Sequence, residues 1–291
     1  MSAIPERKPK FGPADAALAE MPTVFKDDLF ADQVVLVSGA GSGIGKAIAF
    51  LFARLGAKLV ICGRKPEKLE DAAAKLQVLS GREVYWHPMS IRDPEQVDGL
   101  LSAAWERFGG VDVLVNNAGG QFAAFAMDFT LKGWNAVIDT NLNGTFYMMQ
   151  GAAKRWMAQG KPGNIVNITA PIGRGLPGMA HTAASRAGVI YLSKTVAVEW
   201  APHNIRINCV GPGAIESTGF HNYREENVPG FYKCNPMLRA GDVQDIAEAA
   251  VYLAAPSAKF ITGELLNVEG GMLLWGDFWP CGKPDYFKVE T

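Results

Sequence analysis

The sequence predicts an α/β fold in which a parallel β-sheet is covered by helices on both faces. Short apolar runs, typical of buried strands, alternate along the chain with longer amphipathic stretches. Strands that are apolar throughout are typical of parallel sheets, because such sheets are buried on both faces. No internal repeat and no linker-like break follows residue 31, so the sequence predicts a single domain.

The strand pattern occurs in segments spread evenly along the chain. The first, QVVLVSG, is a β-branched run that ends in glycine. The later ones are KLVICG, EVYWHPMSI, DVLVNNAG, GNIVNIT, RINCVGPG and ELLNVEGG. Helical stretches such as KAIAFLFARLG and AGVIYLSKTVAVEWA lie between them. The folded domain is therefore predicted to span residues 31–272.

The two ends of the chain are predicted to lie outside this domain. Residues 1–30 are rich in proline and charge, which indicates an arm rather than part of the core. Residues 273–291 form a tail whose segment LLWGDFWPCGKPDYF is rich in aromatic residues. A cluster of large apolar side chains is rarely left exposed to water, so the tail is expected to pack on an adjacent subunit.

Composition excludes several function classes. A net charge of −1 over 291 residues gives no general surface for nucleic acid, and no apolar run is long enough to span a membrane. The cysteines form no CxxC pair and no metal-ligand spacing with the histidines; they are Cys62, Cys209, Cys234 and Cys281. We therefore expect a cytoplasmic protein with reduced thiols and no metal site.

The loop after the first strand is predicted to bind a dinucleotide. SGAGSGIG places Gly39, Gly43 and Gly45 between a strand and a helix. In that position glycines let the backbone approach a pyrophosphate, and the helix N-terminus supplies free N–H donors. The alternative is a glycine-rich turn that only joins two core elements.

The end of the second strand indicates which dinucleotide is bound. It carries Gly63, Arg64 and Lys65, with no acidic side chain. An acid there would bind the ribose hydroxyls of NAD and repel a 2′-phosphate, whereas arginine offers a planar set of donors suited to phosphate. The segment favours NADP(H), with a solvated basic turn as the alternative.

Several motifs resemble those of the short-chain dehydrogenase/reductase family: SGAGSGIG, NNAG, NLNGTFYM, RINCVGPGAI and FITGELLNVEGG. The resemblance spans residues 31–272 and implies a Rossmann-type, doubly wound sheet of about seven strands, commonly in a homotetramer. It assigns cofactor contacts to Gly39, Ser42, Gly43, Ile44, Gly45, Arg64, Ile91, Asn117, Ala118, Gly119, Arg186, Pro212, Gly213 and Ile215.

The catalytic helix departs from the family pattern. HTAASRAG has Thr182 where most of the family has a tyrosine, and Arg186 where it has a lysine. The tyrosine protonates the developing alkoxide in carbonyl reduction, and the lysine holds the nicotinamide ribose. Because an aliphatic hydroxyl is a far weaker acid than a phenol, ordinary ketone reduction is not expected.

HTAASRAG and NNAGGQFAAFAMDFTLKGWNAVIDTNLNGTFYM resemble the peroxisomal-type trans-2-enoyl-CoA reductases of this family. When hydride adds to the β-carbon of an unsaturated thioester, charge develops on the thioester oxygen as an enolate. The site then needs hydrogen-bond donors at that oxygen. The predicted function is NADPH-dependent reduction of the 2,3 double bond of a trans-2-enoyl-CoA, with an acyl-CoA thioester as substrate.

The resemblance assigns catalytic roles to Gln121, Asn141, Thr169, Thr182 and Arg186. Gln121 is expected to donate to the thioester oxygen, or alternatively to be a loop residue whose amide bonds to the backbone. Asn141 is expected to organise a water, or alternatively to kink or cap its helix. Thr169 matches the family's serine when counted back from Thr182; counting from the strand places Ala170 there instead.

Substrate contacts are assigned to Arg92, Phe122, Thr130 and His181. Arg92 is expected at the CoA portion, or alternatively as a solvated charge at a helix start. Phe122 is expected at the acyl or pantetheine chain, or alternatively in the core. His181 is either a proton or hydrogen-bond donor at the mouth of the site, or a structural histidine.

Two other functions stay open on sequence grounds. One is an NADP(H)-dependent carbonyl or hydroxyl oxidoreductase that acts on a substrate without CoA. The other is a cofactor-binding protein without turnover, which the predicted substrate contacts disfavour.

Overall fold

The strands form one large parallel sheet and one short parallel pair in the computed structural model, which describes residues 11–274. They are β1 (Val34–Ser38), β2 (Lys58–Gly63), β3 (Val84–Pro88), β4 (Val113–Asn116), β5 (Gly163–Ile168), β6 (Ile205–Pro212), β7 (Ile215–Glu216), β8 (Gly241–Asp242) and β9 (Leu265–Val268). The 7-stranded sheet has the order β3-β2-β1-β4-β5-β6-β9, and β7 pairs with β8. This confirms the predicted doubly wound sheet.

Helices cover both faces of this sheet. They are α1 (Asp15–Glu20), α2 (Gly43–Arg54), α3 (Pro66–Ser80), α4 (Pro94–Phe108), α5 (Leu131–Ile138), α6 (Gly144–Gln159), α7 (Ala180–Trp200), α8 (Val228–Phe231) and α9 (Val243–Ala254). Alternate residues of β1 point to opposite faces: Val35 and Val37 pack with α2, α3 and α9, whereas Val34 and Leu36 pack with α4 and α6. The sheet is therefore buried on both sides, as its apolar strands predicted.

The segment before β1 differs from the predicted arm. Leu18 of α1 is buried, and Phe30 is fully buried with its ring 4.8 Å from that of Phe52. Arg54 Nη1 also donates a hydrogen bond to Met21 O at 2.6 Å. The few apolar residues here are scattered among prolines and charges, so composition concealed their burial. The predicted packing of the tail lies outside the described residues from residue 275 onward.

The strand order of the sheet reverses beside β1, and this reversal determines where a ligand site is expected. β1 has β2 on one side and β4 on the other, so the chain winds away from it in two directions. Open α/β sheets bind ligands at the carboxyl ends of the strands that flank such a switch point. In residues 11–274, no helix combines the length and apolar character needed to cross a bilayer.

Candidate active site

The loop between β1 and α2 leaves no room for side chains at two of its glycines. Gly39 has φ 70°, and a Cβ there would lie 2.9 Å from Asn117 Nδ2 and 3.0 Å from Ala118 Cα. A Cβ at Gly45 would lie 2.2 Å from Asn117 Nδ2 and 2.5 Å from Gly39 O. The glycines therefore let α2 begin directly against the end of β4, with its free N–H groups at the carboxyl edge of the sheet.

Hydrogen bonds join the end of β4 to the same loop. Ser38 Oγ accepts from the backbone N–H groups of Asn117 and Ala118, both at 3.0 Å. The Asn117 amide donates to Ser38 O at 3.0 Å and to Gly39 O at 3.3 Å. The structure thus brings together two of the predicted cofactor segments, SGAGSGIG and NNAG.

A cleft of about 390 Å³ opens beside the N-terminus of α2. The predicted residues Ser42 and Gly43 line it, and a Cβ at Gly43 would lie 3.2 Å from Thr218 Oγ1 across the cleft. Residues that sequence reasoning did not assign complete its walls, among them Phe11, Gly12, Pro13, Asp15, Lys46 and Lys68. No spacing pattern in the N-terminal segment marked these contacts in advance.

Charged side chains of both signs line this cleft, with Lys46 and Lys68 facing it together with Asp15, Glu67 and Asp71. Lys68 lines the cleft, with its Cβ 3.1 Å from a Cβ placed on Gly41. Lys46 Nζ is held 2.5 Å from Asp15 Oδ1. Arg64 is exposed after β2 and does not line the cleft itself. Within the described part of the chain, neither Arg64 nor Lys68 pairs with a carboxylate.

Three hydrophobic residues predicted at the cofactor pack their side chains into the core. Ile215 is buried in β7, and Ile91 is buried with its Cγ1 2.7 Å from a Cβ placed on Gly144. Ile44 packs against the core cluster on the α2 side. A cofactor would therefore meet mainly the backbone of these residues.

The end of β6 lies tightly against the residues that follow β9. The N–H of Gly213, directly after Pro212, donates to Val268 O at 2.9 Å. A Cβ at Gly213 would lie 2.7 Å from Glu269 Cα. This close approach requires glycine, and it fixes Pro212 and Gly213 (the PG turn), two predicted cofactor residues, at the carboxyl edge of the sheet.

Arg186 is buried beside Gly119. Its Nη1 donates to Ile168 O at 3.0 Å, and a Cβ at Gly119 would lie 2.2 Å from its Nη2. Burial lowers the pKa of Arg186 to about 10, so the guanidinium stays charged at neutral pH. The arginine therefore places a fixed positive charge where most of the family has lysine.

A π-helical turn, Asp139–Asn143, directs Asn141 toward the site. Asn141 Oδ1 accepts from Gly120 N at 2.9 Å, and Nδ2 donates to Gly120 O at 3.0 Å. Nδ2 also lies 3.4 Å from Ser185 Oγ, to which it donates. Asn141 thus holds the backbone of the loop before Gln121, and it lies in an irregular turn of its helix. Its predicted role in organising a water stays a prediction.

The hydroxyls of Thr169 and Thr130 are already engaged in structural hydrogen bonds. Thr169 Oγ1 donates to Val210 O at 2.9 Å, across to β6. This differs from the predicted catalytic role, because its proton is used inside the sheet. Thr130 Oγ1 accepts from Gly133 N at 3.0 Å and so caps α5, and because an accepting hydroxyl keeps its own O–H to donate, the predicted substrate contact stays a prediction.

His181 is fully buried between two phenylalanines. The ring centroids of Phe122 and Phe129 lie 4.6 Å and 4.4 Å from its own. Nδ1 accepts from Thr182 N at 2.7 Å and lies 3.3 Å from Thr182 Oγ1, so the proton of the neutral ring is on Nε2. Among the described residues Nε2 has no partner. Burial lowers the pKa of His181, which keeps it neutral at pH 7.

Gln121 and Arg92 lie at the exposed edges of the site. The Gln121 amide donates a hydrogen bond to the hydroxyl of Tyr223. Arg92 Nη2 lies 3.7 Å from Asp139 Oδ2. Sequence reasoning missed Tyr223, because the loop that carries it has no periodic pattern or motif that fixes its register.

The described part of the chain holds no cluster of metal-ligating side chains, and two of its buried cysteines are unreactive thiols. There, no group of three or more His, Cys, Asp or Glu residues is arranged to hold a metal ion. Burial raises the pKa of Cys62 to about 12 and that of Cys209 to about 11, so both thiols stay protonated.

Comparison with known proteins decides the family. A family model described as enoyl-(acyl carrier protein) reductase, one of the short-chain dehydrogenase models, matches residues 39–273. The chain belongs to the short-chain dehydrogenase/reductase family.

This chain matches individual relatives over nearly the whole length of each relative. A mouse protein named peroxisomal 2,4-dienoyl-CoA reductase is 36% identical over 281 residues, 95% of either chain. A Synechocystis protein named 3-oxoacyl-[acyl-carrier-protein] reductase is 37% identical over 245 residues, 84% of this chain and 98% of the relative. The crystal structure of a Bacillus anthracis short chain dehydrogenase has a TM-score of 0.78 at 37% identity, covering 86% of this chain and 99% of that one.

As a short-chain dehydrogenase/reductase, the protein is an oxidoreductase, and members of this family use NAD(P)(H). The glycine loop, the Asn117 bonds and the PG turn form the part of the site that follows the family motifs. Thr182 and Arg186 form the part that departs from them. The chemistry that distinguishes this member therefore depends on the second group.

Proposed function

We propose that this protein reduces the 2,3 double bond of a trans-2-enoyl-CoA or a related unsaturated acyl-CoA with NADPH. The observation that carries the proposal is the chemistry at positions 182 and 186. Thr182 is a buried aliphatic hydroxyl next to His181, and Arg186 is a buried cation beside Gly119. A conjugated double bond can be reduced without a phenol at position 182, because the charge develops on the thioester oxygen.

The residues present fit a dinucleotide. A side chain at Gly39 or Gly45 would collide with the end of β4, and the N–H groups of α2 face the edge of the sheet. Lys68 beside Gly41 and Arg64 after β2 bring positive charge without an acidic residue at the end of β2. These features support NADP(H), since a 2′-phosphate is bound by cationic side chains.

When bound, the reduced nicotinamide supplies the hydride. Its addition to the β-carbon breaks the carbon–carbon π bond, whose electron pair moves into an enolate on the thioester. A proton from solvent then adds to the α-carbon and gives the saturated acyl-CoA. The protein holds the enolate oxygen through Gln121, whose loop is fixed by Asn141, and Arg186 holds the nicotinamide ribose.

The assay compares classes of substrate. We expect NADPH oxidation with crotonyl-, octenoyl- or decenoyl-CoA and little with a panel of ketones. Deuterium from the transferable position of NADPH should be found at the β-carbon of the product by mass spectrometry. Deuterium on a carbinol carbon would favour the second candidate, a carbonyl oxidoreductase, which the named activity of the Synechocystis relative supports.

Two variants separate the chemical from the binding contacts. Gln121→Ala should lower kcat by about ten- to a thousandfold if its amide donates to the enolate oxygen. Arg92→Ala should raise KM and leave kcat nearly unchanged, because its proposed partners are CoA phosphates far from the reacting bond. The KM effect should shrink with a pantetheine thioester that lacks those phosphates.

We also propose that the protein forms a homotetramer. Tyr191 and Val198 of α7 are apolar side chains that are 72% and 78% exposed. Val198 lines a shallow groove together with Ala197, Ala201 and Pro202. Apolar surface of this kind on a long helix supports an interface between subunits.

A further inference from the structure

Tyr223 brings a phenol to a site that lacks one at position 182. Its hydroxyl accepts a hydrogen bond from Gln121 Nε2, although the two residues are 102 positions apart in the chain. Tyr223 lies between β7 and α8, in the loop whose alignment the sequence could not fix. The contact therefore joins two loops that meet over the carboxyl edge of the sheet.

The stretch from Gly119 to Phe122 places this contact at the catalytic helix. Gly119 lies against Arg186 Nη2, since a Cβ there would be 2.2 Å away. The N–H and C=O of Gly120 are both bonded to Asn141. Phe122 packs edge-on against His181 with ring centroids 4.6 Å apart. Gln121 stands between these fixed neighbours, so its side chain and Tyr223 lie beside the first turns of α7.

Aromatic contacts within its own loop region hold the Tyr223 ring in place. Its ring meets Phe231 edge-on at 4.9 Å between centroids. Phe231 packs in turn on the buried Phe220 at 4.9 Å, and Phe220 lies 5.5 Å from Phe11 of the N-terminal segment. The hydroxyl is thus positioned by a packed cluster as well as by Gln121.

We infer that Tyr223 and Gln121 act as one hydrogen-bonding unit, in which the Tyr223 hydroxyl donates to the thioester oxygen of the bound acyl-CoA. This inference rests on the proposed function. Because Tyr223 Oη accepts the Gln121 N–H, its own O–H is left to donate. A bond accepted by a hydroxyl polarises it and strengthens the bond that it donates.

The phenol acts as a hydrogen-bond donor and keeps its proton. Burial raises the pKa of Tyr223, and this outweighs the lowering by the Gln121 bond. The phenol therefore stays protonated at neutral pH and differs from the family's catalytic tyrosine, whose pKa is lowered by an adjacent lysine. The proton added to the α-carbon comes from solvent, as in the proposed reaction.

Tyr223→Phe tests the assignment, with Tyr232→Phe as the matched control. Tyr232 lies in the same region, but its hydroxyl donates to Glu216 Oε2 at 2.9 Å instead. With a 2-enoyl-CoA as substrate, Tyr223→Phe should lower kcat by about 10- to 100-fold and change KM and NADPH affinity little. Tyr232→Phe should stay within about twofold of the wild type in kcat.

Combination with Gln121→Ala gives a second measurement. If the two groups act as one unit, the double variant should be only slightly slower than the slower single variant. Should Tyr223→Phe fail to fold, as judged by lost NADPH binding, Gln121→Leu gives the same test from the other partner, because it removes the amide. If Gln121→Leu keeps a kcat within about twofold of the wild type, the inference that the two residues act as one unit is wrong.

Several results would overturn the inference. One is a Tyr223→Phe enzyme with wild-type kcat, and another is an equal loss in Tyr232→Phe, which would show a general effect of the loop. Fully multiplicative losses in the double variant would show two independent contacts. A wild-type enzyme that reduces no 2-enoyl-CoA overturns the proposed function first, and this assignment with it.

Discussion

Arg186 illustrates how a single residue changes the part of the site it occupies. A guanidinium presents several donors in one plane, whereas an ammonium is a compact charge on a flexible stem. Here one donor is fixed on Ile168 O, which orients the plane beside Gly119. The remaining donors are then available to the cofactor ribose in the proposed complex.

Arg186→Leu should reduce both cofactor affinity and kcat. Loss of a charge-assisted hydrogen bond weakens binding by about 1.5–3 kcal/mol, or about 10- to 150-fold in Kd. Fluorescence titration with NADPH and steady-state rates measure the two effects. Arg186→Lys should restore only part of the affinity, because one ammonium cannot keep the Ile168 bond and reach the ribose in the same geometry. Full restoration by lysine would contradict the argument.

Arg64→Ala should weaken NADPH binding by about tenfold or more and leave NADH binding nearly unchanged, because only NADPH carries the 2′-phosphate. Lys68→Ala should show the same selectivity if its position at the cleft wall serves that phosphate. Arg82, exposed at the far end of α3 and 3.9 Å from Asp32, provides the control substitution. Isothermal titration with both cofactors measures the ratio, and equal losses for the two would rule out the assignment.

Among the elements, α1 is the one whose role only became visible in the fold. It packs on α2 and contributes Leu18 to the core. Asp15 Oδ1 and Oδ2 lie 2.5 Å and 2.7 Å from the ammonium groups of Lys46 and Lys75. Because Asp15, Leu18 and Lys46 also line the cleft beside the glycine loop, the docking of α1 shapes the proposed cofactor site.

Asp15→Asn should lower the free energy of unfolding by about 0.5–1 kcal/mol at neutral pH, as expected for a partly exposed ion pair. Burial raises the pKa of Asp15, but the hydrogen bonds and charges of Lys46 and Lys75 outweigh it and lower the pKa overall. The stabilisation is therefore present above the unfolded-state pKa and is lost as pH falls through the lower folded-state value.

Urea denaturation of the wild type and Asp15→Asn should show this difference at neutral pH and its disappearance in acid. Asp27→Asn is the control, since Asp27 is exposed and has no ion-pair partner among the described residues. A difference that stays constant into the acid range would mean that the carboxylate charge does not stabilise α1.

At the scale of the whole molecule, the proposed tetramer can be tested through α7. Val198→Asp should shift the protein from a tetramer to smaller species in sedimentation velocity, because a charge buried in an apolar interface is costly. Val78→Asp on α3 is the matched control, with an 87% exposed valine away from that groove. A wild-type monomer, or equal behaviour of the two variants, would contradict the proposal.

The sequence determined the sheet, the glycine loop and the departure at positions 182 and 186. Apolar runs and glycine spacing are local patterns, so each strand segment and the loop after β1 could be predicted from neighbouring residues alone. Even so, the strand predicted over EVYWHPMSI ends at Pro88, because pairing with β2 sets that boundary. The substitutions at 182 and 186 were visible because HTAASRAG resembles a known motif.

The tertiary structure alone decided which groups are free to act. Thr169 has the predicted chemistry, yet its O–H donates to Val210 O inside the sheet. Tyr223 has no local signal, yet the fold brings it to Gln121. A hydrogen bond between distant segments depends on the packing of every element between them, and no short window of sequence contains that information.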